Sequence, residues 1–136
     1  MRRLTLLLSW LLLLSLVLAA CGGGGQQGAG GDDAVARGKA LYEKTVIGPN
    51  SAPGCITCHA LEPDKVIVGP SHAHIATIAE TAVPGMSAAE YLRESIVNPD
   101  AHITAGFPAG VMYQNYGKDL TEQEINDLVA FLLTLK

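Results

Sequence analysis

Cys55-Ile56-Thr57-Cys58-His59 decides how this chain is read. Two thiols separated by two residues, with an imidazole directly after the second, form the attachment signature of haem c. The spacing has a physical reason. One turn of chain presents both sulfurs to the two vinyl groups along one haem edge, and the next residue places its imidazole under the iron. Two other chemistries also use paired cysteines. A zinc site would draw two more ligands from His72, His74 or His102, which stand in no familiar spacing. A redox dithiol would want a fold with strands, and no stretch of this chain alternates convincingly with period two.

An iron that carries electrons prefers two protein ligands, because a saturated iron changes geometry little on reduction. A methionine thioether is a soft ligand that favours ferrous iron and raises the potential. Downstream of the motif stand Met86 and Met112. Met112 falls in an irregular segment just before the last expected helix, where a ligand can swing onto the open haem face, and it is the expected sixth ligand. Met86, in Pro84-Gly85-Met86, reads as packing or surface. His72 and His74 read as residues of the haem rim. These two histidines, Met86, His102 and an open sixth site remain as alternatives. With an open site the domain would be a haem-based ligand-binding or sensor module.

Outward from the motif the pattern is helical. Asp32 and Asp33 are N-cap candidates for a helix through AVARGKALYEKTV, with Val35, Leu41, Tyr42 and Val46 as candidate buried positions. Gly48-Pro49 and Pro53-Gly54 break the chain just before Cys55. Ile75 to Thr81 reads as a short helix. Ser87-Ala-Ala-Glu90 is a capping box opening a helix that Pro99 stops, with Tyr91, Leu92, Ser95 and Ile96 on one packing face. A second capping box, Thr121-Glu-Gln-Glu124, opens a helix whose Ile125, Leu128, Val129, Leu132 and Leu133 make an apolar stripe. The expected domain is all-α with long loops.

Three segments follow along the 136 residues. Residues 1–20 pair a basic start, Arg2 and Arg3, with the apolar run Leu4 to Ala20, which reads as a secretory signal. Leu18-Ala19-Ala20-Cys21 resembles a bacterial lipobox, making Cys21 the expected site of diacylglycerol attachment; an uncleaved apolar anchor is the rival. Residues 21–31 continue with GGGGQQGAGG, too poor in apolar side chains to bury itself, and read as a flexible tether with a reach of about 17 Å. Residues 32–136 form the domain. All three cysteines then have a role, and none is left for a structural disulfide.

A chain beginning at Cys21 carries 7 Lys+Arg against 13 Asp+Glu, a net −6, which disfavours nucleic acid and anionic lipid as partners. The domain has one attachment motif and no assignable acid–base pair beside the haem. No catalytic residue is expected, and the chain reads as an electron carrier, not an enzyme.

These residues resemble the class I cytochrome c family over about Ala34 to Lys136. Gly38 and Tyr42 are similar to the family's glycine and aromatic in the first helix, which let that helix cross the last one closely, against Leu128, Phe131 and Leu132. Gly69-Pro70 resembles the family's Gly-Pro, which implies that the Pro70 carbonyl accepts the N–H of His59. Asn98-Pro99 and the segment from Gly110 to Thr121 are also family-like and put Met112 at the ligand position. The family commonly has proline directly after that methionine, where this chain has Tyr113.

The resemblance implies a class I fold around one covalent haem c, held by Cys55, Cys58, His59, Met112 and Pro70. It also implies one-electron exchange with redox partner proteins. Lipobox, tether and single haem together are similar to membrane-tethered cytochrome subunits of bacterial respiratory and photosynthetic chains. Among these are the monohaem subunit of alternative complex III and cytochromes attached to terminal oxidases. The expected location is the bacterial cell membrane, with the domain on its periplasmic or extracytoplasmic side and a quinol-oxidising complex or terminal oxidase as partner.

Overall fold

The computed structural model describes residues 29–136, so the segment 1–20, Cys21 and most of the glycine run lie outside the described residues. Among the described residues five α-helices and one short ribbon follow in order: α1 (Ala29–Tyr42), β1 (Val46–Ile47), β2 (Ala52–Pro53), α2 (Ile75–Ala79), α3 (Ala88–Val97), α4 (Tyr116–Asp119) and α5 (Glu122–Leu132). None of these helices is long and apolar enough to cross a membrane.

The capping boxes set two boundaries. Ser87 and Thr121 each accept the N–H of the residue three positions on, Glu90 or Glu124, whose carboxylate accepts the cap's own N–H in return. Both helices therefore begin one residue after the cap, as the pattern predicts. Tyr91, Leu92 and Ile96 of α3 and Ile125, Leu128, Val129 and Leu132 of α5 are buried, whereas Leu133 is only half-buried.

The first helix departs from its expected ends. It starts at Ala29, taking in the end of the glycine run, so Asp32 lies in its first turn and not at its cap. An acidic group there suits the positive end of the helix dipole. The helix stops at Tyr42 instead of running to Val46, because the chain turns and Val46–Ile47 pairs antiparallel with Ala52–Pro53. Strand geometry alternates side chains between faces. Ile47 consequently enters the core, while Val46, an expected core residue, is 53% exposed. This ribbon is too short to leave a period-two signature.

The close approach of α1 and α5 organises the core. A Cβ at Gly38 would land on the backbone carbonyl of Asp127 and press on Phe131. Around that point Arg37 donates twice to the Asp127 carboxylate, at 2.7 and 2.8 Å, and Gln123 donates to it at 2.8 Å. Arg37 holds this carboxyl below the usual aspartate range. Tyr42, fully buried, meets the edge of Phe131 at a centroid distance of 5.3 Å.

Overpacking a tight backbone contact costs about 1–3 kcal/mol. Gly38→Ala is accordingly expected to lower the unfolding free energy by about 2–3 kcal/mol, read as a lower midpoint in urea denaturation at unchanged slope.

Candidate functional site

Gly54 sets the motif in place. A Cβ there would strike the carbonyl of Lys44, so only glycine lets the chain run this close to the end of α1. Residues Cys55–Thr57 then form one 3-10 turn. The N–H groups of Cys58 and His59 both donate to the Cys55 carbonyl, at 3.1 and 2.9 Å. Thr57 Oγ1 donates to Gly54 O at 2.6 Å and closes the turn. This single turn displays two free, half-buried thiols and a buried imidazole. Burial pushes the Cys55 thiol up to about 11.

The His59 ring is fixed from several sides. Its Nδ1 lies 2.9 Å from the Pro70 carbonyl, which can only accept, so Nδ1 carries the proton and Nε2 keeps its lone pair. Burial lowers the affinity of the ring for a second proton, and the Pro70 bond opposes this only in part. Gly69 packs so closely that a Cβ there would collide with the imidazole. The N–H groups of Val68 and Gly69 both donate to Cys58 O, at 3.1 and 2.9 Å, holding that loop against the motif. His72 stacks on the imidazole with ring centroids 3.9 Å apart and planes 15° from parallel.

Cys55, Cys58 and His59 line a cavity of about 300 Å³. Leu92, Ile96, Leu128 and Leu132 give it an apolar lining, with Met112 and Ser95 also on its wall. Ser95 Oγ is buried without a hydrogen-bond partner. Paired thiols, an imidazole lone pair, a thioether and an apolar enclosure together fit a covalently held haem. Among the described residues no three His, Cys, Asp or Glu side chains gather to hold a metal.

The structure separates the candidate ligands. Met112 lines the cavity, whereas Met86 lines a separate open depression beside α3, with Glu90 and Arg93. His74 is exposed and absent from the cavity wall. His102 is on that wall, but its Nε2 lies 2.7 Å from Glu94 Oε2 and its ring packs on Tyr91.

Polar ties that no spacing announced hold the segment bearing Met112. Asp100 Oδ1 accepts the Gly110 N–H at 2.9 Å and a Gln114 side-chain N–H at 3.4 Å, and Gln114 also donates to Met112 O at 2.8 Å. Tyr113 donates to Asp119 Oδ2 at 2.5 Å, and Asn50 donates to Oδ1 of the same carboxylate at 2.7 Å. Tyr113 thus anchors the chain just after Met112 by a hydrogen bond. Tyr116 donates to Pro53 O at 2.6 Å, linking α4 to the strand that leads into Cys55.

A family model described as Cytochrome c matches residues 35–136. No curated protein and no solved structure matches the chain.

Tyr113 and Asn50 hold the Asp119 carboxyl below the usual aspartate range. A group depressed on folding stabilises the fold above its unfolded value, near about pH 4, and loses that contribution as pH falls through its folded value. Tyr113→Phe should therefore lower the denaturation midpoint at neutral pH, and the gap from the unsubstituted protein should narrow on acidification below about pH 4. Midpoints measured across a pH series check both halves.

Proposed function

Since the chain belongs to the cytochrome c family, we propose that it is a membrane-tethered carrier of single electrons whose haem iron is held by His59 and Met112. Family membership carries the class I fold, one covalently bound haem c and electron exchange with redox partner proteins. When bound, the haem supplies an iron that takes up and releases one electron between its ferric and ferrous states. Everything else in the scheme belongs to the chain's own side chains. Cys55 and Cys58 form the two thioethers. His59 offers Nε2 because Pro70 engages Nδ1. A polar acceptor on the far nitrogen also raises the basicity of a ligating imidazole.

The observation that carries the reading is the shared cavity. The three motif side chains and Met112 line it, and Met86 does not. His72 stacks on the ring of the proposed fifth ligand, which favours Met112 over it as the sixth. The sensor alternative needs an empty sixth position, and a thioether on the cavity wall, that of Met112, would be available to fill it.

The tether and location rest on the sequence. Cys21, after cleavage at residue 20, would carry the lipid, and two acyl chains give stable anchoring where one gives only marginal binding. Haem c is attached outside the cytoplasm, which puts the domain on the periplasmic or extracytoplasmic face. There it serves as a free carrier or as a subunit of a quinol-oxidising complex or terminal oxidase, in the manner of the tethered subunit of alternative complex III. Val68, Ile103 and Val111 are exposed at the cavity rim and offer a partner an apolar contact.

The native-host protein should keep its colour through acid–acetone extraction, and its intact mass should include the tetrapyrrole. Met112→Ala should abolish the weak long-wavelength band of the ferric protein while the haem stays covalently bound. Persistence of that band would move the ligand elsewhere, and rapid carbon monoxide binding by the unsubstituted reduced protein would indicate an open sixth site.

Cys21→Ser is expected to release the protein into the soluble fraction. Continued membrane attachment in fractionation would argue for an uncleaved apolar anchor or a tight complex.

A further inference from the structure

Two histidine rings lie face to face at the motif, and the ligand set of the preceding section uses only one of them. His72 is two residues beyond Pro70, and its backbone N–H donates to Ala60 O at 2.8 Å. This ties it directly behind the attachment turn. Its ring stacks on His59 at 3.9 Å and 15° and lines the same cavity.

The ring is locked from its far edge. Tyr42 Oη lies 3.1 Å from His72 Nδ1 and 3.2 Å from His59 O. A phenol has one proton to give, and a carbonyl can only accept. Both contacts are hydrogen bonds together in one arrangement alone: Tyr42 donates to His59 O and accepts from His72 Nδ1–H. In a neutral ring this arrangement puts the proton on Nδ1 and leaves Nε2 bare.

We propose that His72 is a positioning residue for His59: its ring, held by Tyr42, fixes the plane of the iron-binding imidazole and favours the oxidised state of the bound haem. This rests on the reading of Cys55, Cys58 and His59 as the haem attachment. An imidazole bonded to ferric iron is the more positively charged of the two redox states, and a neutral aromatic face attracts a positive charge laid against it. Parallel stacking also resists rotation of the ligand ring. The Pro70 bond holds the ring at one nitrogen, and the stack holds it across its face. Outer partners of a metal ligand commonly tune the site in this way.

The test uses the purified holoprotein with three single substitutions and one double: His72→Leu, His72→Phe, Tyr42→Phe, and Tyr42→Phe with His72→Leu. Haem attachment is read by mass, the midpoint potential by spectroelectrochemistry, and the ligand-plane orientation by the ferric electron paramagnetic resonance g values. His72→Leu should raise the potential and change the g anisotropy. His72→Phe, which keeps an aromatic face, should retain most of the native g pattern with a smaller rise in potential. Tyr42→Phe should shift the potential in the same direction by less, and add nothing in the double variant.

A His72→Leu protein with attached haem, native potential and native g values overturns the proposal. So does a His72→Phe protein indistinguishable from His72→Leu. If His72→Leu does not mature, His72→Phe and Tyr42→Phe decide: native values in both overturn it. Absence of attached haem in the unsubstituted protein would instead remove the attachment reading beneath it.

Discussion

Position 38 rests on the backbone of Asp127, and the order of the molecule spreads from that contact. With no Cβ between them, α1 and α5 close until Arg37 reaches Asp127 and Tyr42 reaches Phe131. Tyr42 is then carried beneath the attachment turn, where its hydroxyl meets both the carbonyl of His59 and the ring of His72. Packing between two helices is in this way transmitted to the angle of an imidazole. The same crossing brings Leu128 and Leu132 onto the cavity wall. Helix packing and cofactor enclosure are one structural fact seen from two sides.

The two halves of the site are built from different materials. Around His59 the restraints are backbone and rings: Gly54 and Gly69 at van der Waals limits, paired N–H groups on Cys58 O, the Pro70 carbonyl and the His72 face. None of these moves without dragging the main chain. Around Met112 the restraints are side-chain hydrogen bonds, those of Asp100 and Gln114 exposed and those of the Tyr113–Asp119–Asn50 group part-buried. Such bonds contribute less each and break singly. The motif side is therefore the stiff reference, and the methionine side is the one with freedom to adjust.

Much of this was legible in the sequence because it is local. The motif pentapeptide is one turn, and its geometry follows from spacing alone. Both capping boxes are four-residue patterns, and they placed the starts of α3 and α5 correctly. Gly38, Tyr42 and Pro70 were legible through family resemblance: Gly38 and Tyr42 both meet Phe131 of the last helix, and the Pro70 carbonyl meets His59 Nδ1, whereas the Asp127 backbone and the motif carbonyl as further neighbours were not foreseen.

What was not legible depends on distant partners. Val46 looked like the last turn of a helix, and its pairing with Pro53 cannot be seen from either residue. His72 looked like a rim residue because nothing local says that it stacks on a ring thirteen positions earlier. Tyr113 looked like a departure from pattern, and its purpose appears only when Asp119 folds back beside it. Asp100 carried no signal at all.

That last residue has a structural consequence. The chain leaves Asp100, passes through the segment containing Ile103 and Phe107, and returns at Gly110 and Gln114 to the carboxylate where it began. A span stapled to its own starting point behaves as a self-contained cassette. The clasp sets where its ends meet, and Ile103 and Phe107 within it line the cavity. One wall of the cavity is thus an arc of chain closed on itself at a single carboxylate.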